Sequence, residues 1–365
     1  MLNARAAVVF DAGADPQLAD VQIREPVGDE VLVRIDAVGI CHTDVSVAAR
    51  FRKLPMVFGH EGAGTVVQAG PDATPRVGDQ VVLTFASCGT CGNCRSDAPA
   101  YCEHSTDLNM RGSRRDQSSA LQTGGVPVGG GFFGQSSFCT HALAGSRNAV
   151  VLPEPIDPAL AAPLGCSVQT GVGAVLNVLG PQPADALVVF GAGAVGLSAV
   201  MGARIAGYRT IVAVDPIAQR RTLATELGAT ATIDPTVCDA AAAVLELTGG
   251  VAAAVDTTAR PEVLAAAVGV LRERGTLALL GLGALTAELP VAAIMGKGLT
   301  LRGVVEGDSE PQTFIPRLVD LLRCGELPLD KMVSRYPFDE FDRAWAAAKA
   351  ADVVKPVLIT GAVGS

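Results

Sequence analysis

ALVVFGAGAVGLSAV, residues 186–200, decides the fold. Its first five residues are apolar and read as a buried strand. GAGAVG reads as a tight turn, and LSAVMGARIAG as the helix that follows. Gly191, Gly193 and Gly196 stand at GxGxxG spacing. In that pattern the first glycine permits the turn, the second lets a pyrophosphate reach the backbone, and the third lets helix and strand pack closely. The helix N-terminus then faces the phosphates. The next strand, TIVAV, runs up to Asp215. A carboxylate there can accept hydrogen bonds from both ribose hydroxyls and repels a 2′-phosphate. Pro216 rather than arginine follows it, which favours NAD over NADP, while Arg220 and Arg221 keep NADP open. The competing reading is a glycine turn that serves packing alone.

Working outward, ATELGAT and DAAAAVLELTGG read as helical pieces, and VAAAVDTT and TLALLGL as strands. Strands alternating with helices imply a parallel sheet with crossovers. The first 150 residues differ. VQIREP, EVLVRIDAVGI, GTVVQAG and DQVVLTF are short β-branched runs broken by Gly, Pro and Asp. Near residue 304 the texture shifts again. TFIPRLVDLLRCGEL and DEFDRAWAAAKAADV read as amphipathic helices, and VKPVLIT as a closing strand. Residues 111–131 read as a polar, glycine-rich loop, long enough to suggest function or mobility.

A chain of 365 residues has room for two domains. A formal net charge of -9 argues against nucleic acid as a main partner. MLNARAAVVF has no charged segment leading into a long apolar core, so no signal peptide is expected. The uncharged run between Asp185 and Arg204 carries four glycines and reads as strand, turn and helix rather than a membrane span. The expectation is a soluble, cytoplasmic protein with a small-molecule substrate. In that setting nine cysteines point to metal binding or catalysis rather than disulfides.

CGTCGNCRSDAPAYC places Cys88, Cys91, Cys94 and Cys102 on one loop. Short spacers let four thiolates converge on one tetrahedral ion, and a closed four-sulfur site is structural. Zinc is the reading; an iron–sulfur cluster and a chance cluster are its rivals. GICHTDVS, residues 39–46, is less decisive. Cys41 and His42 could be metal ligands, a thiol with its base, or ordinary turn residues. His60 in GHEGAG and Cys166 are far away in sequence, so spacing alone says nothing about them.

Together GICHTD, GHEGAGTV, the four-cysteine loop, LGCSVQTGVGAV and GAGAVG resemble the zinc-containing alcohol dehydrogenases of the medium-chain dehydrogenase/reductase superfamily, over nearly the whole chain. GFFGQSSF (131–138) and VVEGDSEPQTFIPRLVDL (304–321) resemble the aryl-alcohol (benzyl alcohol) dehydrogenase branch. The resemblance implies an α/β protein with a GroES-like, partly open β-barrel catalytic domain at 1–167. A Rossmann doubly wound parallel-sheet domain follows at 168–303, and the chain returns to the catalytic domain at 304–365. It implies two zinc ions per chain, NAD, and a homodimer or homotetramer.

Residue by residue, the resemblance makes Cys41, His60 and Cys166 ligands of a catalytic zinc. Two thiolates and one imidazole form the established ligand set of alcohol dehydrogenases, with a fourth position left open. Glu61 becomes a carboxylate that can approach that zinc, and Asp44 the group that orients the ligand histidine. Thr43 becomes the hydroxyl that receives the substrate proton, and also borders the substrate pocket with Phe132 and Phe133. Cofactor contacts fall to His42, Thr170, Gly191, Gly193, Val195, Gly196, Asp215, Arg220 and Lys355. One position departs from the pattern: Ser46 stands where many members carry a proton-relaying histidine. The implied reaction is oxidation of a primary aryl or allylic alcohol to its aldehyde by NAD+. Alternatives are a terpenoid alcohol or a thiol–formaldehyde adduct as substrate, and, more remotely, a non-catalytic zinc- and nucleotide-binding protein. Cys139, Cys238 and Cys324 match no ligand position and read as core or surface residues.

Overall fold

The computed structural model describes residues 1–114, 118–180 and 185–360. Two compact units emerge. One comprises Met1–Cys166, Glu310–Arg323 and the chain from Met332 onward; the other comprises Ser167–Ser309 and Cys324–Lys331.

The second unit is built on six parallel strands, numbered here within that unit. They are β1 (Ala186–Phe190), β2 (Thr210–Val214), β3 (Ala231–Ile233), β4 (Val251–Asp256), β5 (Leu271–Leu279) and β6 (Thr300–Gly303). Their order across the sheet is β3-β2-β1-β4-β5-β6. This is the doubly wound arrangement in which a dinucleotide lies across the carboxyl ends, at the point where strand order reverses. The middle strands are apolar without alternation because helices cover both faces. All six residues of β4 are buried. The helix Ala194–Ile205 starts within the GAGAVG motif, with Gly193 as its N-cap and Gly196 in its first turn.

In the first unit the strand Glu30–Gly39 is the organising element. It pairs antiparallel with Glu61–Ala69 along its length, with His141–Gly145 at its start and with Lys355–Ile359 at its end. Seven strands join in that sheet. A second sheet contains Leu2–Val9, Gln17–Ile23, Met56–Val57, Leu121–Thr123 and Val126–Val128. Between them lies a core that includes Val33, Ile35, Met56, Phe58, Phe138, Phe341 and Trp345.

The structure corrects one sequence expectation. Part of the stretch 111–131, read as loop, forms a hairpin in which Leu121–Thr123 pairs with Val126–Val128. Its turn is Gly124–Gly125, both at positive φ (53° and 81°), the backbone that a two-residue hairpin turn requires. Residues 115–117 of the same stretch lie outside the described residues. No single helix among the described residues is long and apolar enough to cross a membrane.

Candidate active site

Two strands and a helix start bring the first group together. Cys41 follows the end of Glu30–Gly39 and caps the helix His42–Ala48. His60 immediately precedes the strand Glu61–Ala69, whose Glu61 is registered against Gly39. Cys166 lies at the end of a short 3-10 turn, Ala162–Gly165, held against the sheet by a hydrogen bond from Thr84 Oγ1 to the Gly165 carbonyl at 2.7 Å. The potential ligand atoms of Cys41, His60, Glu61 and Cys166 all lie within 4.8 Å of one another, and all four residues are buried.

Asp44 fixes this arrangement. It is fully buried, and its carboxylate accepts from Cys41 N at 2.9 Å, Gly59 N at 3.1 Å and His60 Nδ1 at 2.8 Å. With Nδ1 committed to Asp44, His60 Nε2 is the atom left to face the sulfurs. That nitrogen is buried and has no hydrogen-bond partner. An orphaned ring nitrogen beside two thiols is what a zinc ligand looks like before the ion is considered. The electrostatics agree. Hydrogen bonding with Cys166, together with the charge of Lys355, holds the Cys41 thiol well below its usual range despite burial. Burial pushes His60 down, but the charges of Asp44 and Cys41 outweigh it and hold the ring well above its usual range. A dication would replace that charge separation directly.

Glu61 and Lys355 sit behind the group. Lys355 Nζ donates to Glu61 Oε1 at 2.8 Å, and both side chains are buried. Burial raises the Glu61 carboxyl, and the charge of Lys355 limits the rise. Lys355, read from the sequence as a cofactor contact, is therefore engaged with Glu61. Thr43 is half-buried and His42 exposed. Ser46 Oγ lies 3.0 Å from His42 Nε2, so the residue that departs from the relay pattern touches the neighbouring histidine.

Phe132 and Phe133 border the same group but differ in exposure. Phe132 is fully buried, with ring centroids 5.1 Å from Phe58 and 5.6 Å from His60. Phe133 is half-buried and stacks on His60 at 4.4 Å with 24° between the planes. It is held at φ 50°, a conformation rare for an aromatic residue and often found where function constrains the backbone. Gln135 was missed from the sequence. Its buried amide donates to the His60 carbonyl at 3.0 Å and the Thr84 carbonyl at 3.2 Å, and accepts from Gly62 N at 3.2 Å. Inside GFFGQSSF it looked like one more polar loop residue, and only its buried position reveals the clamp.

In the second unit the glycine turn is built as the spacing required. Gly191 has φ 91°. A Cβ on Gly196 would run into the Gly191 carbonyl, so close helix–strand packing excludes any side chain there. Val195 is half-buried in the first helical turn. Asp215 is 4% exposed; it accepts from Ala192 N at 2.7 Å and Ile217 N at 2.8 Å. This ties the acid to the turn. Arg221 donates to the Asp215 carbonyl and pairs with Asp234 at 2.8 Å, so it is engaged away from any phosphate. Arg220 is half-exposed. Thr170 is buried and donates to Glu306 at 3.2 Å.

The four loop cysteines form a second group, with ligand sulfurs within 4.8 Å. Backbone amides point at the sulfurs: Thr90 N and Cys91 N at Cys88, Cys88 N and His104 N at Cys102. Hydrogen bonds from Thr90 hold the Cys88 thiol down to about 5, while burial pushes Cys94 up to about 12. Four converging sulfurs with amide support fit a tetrahedral zinc. His104 contributes only its backbone. Cys139 is buried, whereas Cys238 and Cys324 are exposed.

Residues 28–154 match the alcohol dehydrogenase GroES-like domain, and residues 194–323 the zinc-binding dehydrogenase domain. A geraniol dehydrogenase of Castellaniella defragrans is 44% identical, with 98% of each chain covered. The crystal structure of a benzyl alcohol dehydrogenase from Acinetobacter calcoaceticus superposes with a TM-score of 0.95 at 40% identity, covering 99% of this chain and 100% of that one. An alcohol dehydrogenase zinc-binding domain protein from Burkholderia ambifaria gives 0.96 at 44% identity, with 99% of each chain covered. The chain belongs to the zinc-binding alcohol dehydrogenases of the medium-chain family, and it is an enzyme of that class, with the GroES-like and Rossmann parts that the motifs implied.

Proposed function

We propose that this enzyme oxidises primary aryl and allylic alcohols to aldehydes with NAD+, using one catalytic and one structural zinc. The observation that carries the substrate class is the stack of Phe133 on His60. It places a half-buried aromatic face beside the metal group, where a flat, unsaturated alcohol gains about 0.5–1.5 kcal/mol beyond area burial. The relatives named for geraniol and benzyl alcohol support the same class. Geraniol is allylic and terpenoid, so the terpenoid alternative falls largely within this reading.

Cys41, His60 and Cys166 would hold the catalytic zinc, and Cys88, Cys91, Cys94 and Cys102 the structural one. The catalytic ion supplies a Lewis acid that makes an alcohol proton easier to lose. NAD+, held by the glycine turn and Asp215 of the second unit, would supply the hydride acceptor. The chain's own residues do the rest. Asp44 keeps the His60 ring in the tautomer that offers Nε2. The Thr43 hydroxyl takes the substrate proton, and the Ser46–His42 contact at 3.0 Å offers the way out. Glu61, backed by Lys355, stays buried beside the ligands. In the dinucleotide unit, Gly191, Gly193, Val195 and Gly196 form the phosphate turn, and Asp215 and Arg220 meet the adenosine ribose. Asp215 carries the preference for NAD over NADP. Thr170 lies in the nicotinamide half.

The enzyme works as a homo-oligomer, dimer or tetramer. Leu282, Leu285, Val291 and Met295 are exposed between β5 and β6, and β6 is an edge strand; parallel sheets do not usually leave such an edge bare. Thiolate zinc sites suit a reducing compartment, hence the cytoplasm.

The deciding experiment is NADH absorbance with benzyl alcohol, geraniol and ethanol on the zinc-loaded enzyme. The kcat/KM for the first two should exceed that for ethanol by about a hundredfold. Equal turnover of ethanol would remove the aryl and allylic assignment.

A further inference from the structure

In the first unit the strand Gln80–Leu83 runs on into Thr84–Cys88, which lies outside any helix or strand. This short segment reaches from one sulfur group to the other. At its start Thr84 makes two links to the catalytic group. Its Oγ1 donates to the carbonyl of Gly165, the residue before Cys166, at 2.7 Å. Its own carbonyl accepts from Gln135 Nε2 at 3.2 Å, and that same nitrogen donates to the His60 carbonyl at 3.0 Å. At its end Cys88 is the first member of the four-cysteine group.

A segment with no ladder of its own must be held by side chains. Asn109 holds its middle. It closes the helix Ser105–Asn109, which follows Cys102 along the chain. Its Oδ1 accepts from Ala86 N at 2.8 Å, and its Nδ2 donates to the Ala86 carbonyl at 3.0 Å. One side chain thereby takes both backbone groups of Ala86, as a paired strand would. The same nitrogen donates back to the Ser105 carbonyl at 2.9 Å, which ties the amide to its own helix. Its orientation is fixed, because only the oxygen can accept from Ala86 N. Ala86 also bears on the segment that carries the aromatic pair: a Cβ on Gly134 would meet the Ala86 Cβ at 2.7 Å.

The links form a chain. It runs from the helix after Cys102 through Asn109 to Ala86, then through Thr84 to Gly165 beside Cys166, and through Gln135 to His60. Asn109 and Gln135 are each 3% exposed. Buried amides with committed partners are rigid, because breaking any bond leaves a polar group without water. Two of the three catalytic ligands are thus placed from the four-cysteine loop. The third, Cys41, is held by Asp44 instead.

We infer that Asn109 and Gln135 are positioning residues through which the four-cysteine loop sets the coordination geometry at the catalytic group. The structural ion then does more than hold its own loop together. This rests on the reading of Cys41, His60 and Cys166 as ligands of a metal ion.

The test loads cobalt(II) at the catalytic group and keeps zinc at the four-cysteine group, in the wild type, Asn109→Ala, Gln135→Met and the double variant. Cobalt absorbs visible light, and its bands follow ligand geometry. Each single variant should shift those bands and weaken catalytic cobalt by about tenfold or more in chelator competition. The double variant should add little to either single one, because both act in one chain. Unchanged bands and affinity, or effects that simply add, overturn the inference. Asn93→Ala is the control, since Asn93 Nδ2 donates to the Tyr101 carbonyl at 2.7 Å within the same loop. It should lower the melting temperature and leave the bands in place; bands shifted as in Asn109→Ala overturn the inference. The wild type gives a check that needs no variant to fold. Cadmium, a larger and softer ion, in place of zinc at the four-cysteine group should shift the same bands, and bands that do not move overturn the inference. A wild type that takes up no cobalt at Cys41, His60 and Cys166 overturns the metal reading itself; one that takes it up with bands indifferent to every change overturns only this inference.

Discussion

Ser46 and His42 share a hydrogen bond, and the two side chains differ in what they can do with a proton. A serine hydroxyl can pass a proton along but cannot store it, so proton exit depends on His42 or on solvent. In Ser46→His a second imidazole, with an ordinary pKa of about 6.5, would take up the proton between pH 6 and 7. The rate of the deprotonation-limited step should then rise by about three- to tenfold in that window. Stopped-flow pH profiles of hydride transfer measure it, and an unchanged profile speaks against the exit route. At this scale the sequence is legible unevenly. The four loop cysteines announce themselves because their partners are neighbours in the chain. Cys41, His60 and Cys166 do not, because strand pairing rather than spacing gathers them, and only the family resemblance linked them beforehand. Gln135 carried no signal at all: a glutamine becomes a clamp only when its amide is buried among backbone groups that need partners.

Among the elements, the Rossmann strands were readable because each is a short apolar run closed by a turn, and sequential neighbours pack together. The barrel was harder. Glu30–Gly39 looks like any short β-branched strand, but its partner Lys355–Ile359 lies more than three hundred residues downstream, beyond the reach of any local pattern. The hairpin 121–128 was hidden by polarity, although its Gly-Gly turn was in view. The most testable element is the edge of the second unit. Leu285 and Met295 are 97% and 80% exposed. Replacing both by glutamate should convert the proposed oligomer to monomer in size-exclusion chromatography with light scattering, since two charges buried in an apolar contact cost several kcal/mol. A wild type that already elutes as a monomer would sink the oligomer assignment.

For the molecule as a whole, the two sulfur-rich groups predict separate consequences of metal loss. Elemental analysis should find two zinc ions per chain. Cys41→Ser should leave about one zinc, abolish turnover, and lower the melting temperature only slightly, because a catalytic site keeps an open position and contributes less to folding. Cys91→Ser should also leave about one zinc but lower the melting temperature by several degrees or more, because a closed four-thiolate site is itself folding energy. Equal thermal effects of the two variants would contradict the division into catalytic and structural ions.

The Lys355–Glu61 pair has one more consequence, and it concerns time rather than space. The two residues are 294 positions apart. At a synthesis rate of about 5–20 residues per second, the lysine leaves the ribosome roughly 15–60 seconds after the glutamate it neutralises. The four-cysteine loop has all its ligands once Cys102 has emerged and can take its ion early. The other pocket must wait for Lys355, at the start of the last described strand, before its buried acid has the lysine beside it. One ion can be loaded onto the growing chain, whereas the other belongs to the finished one.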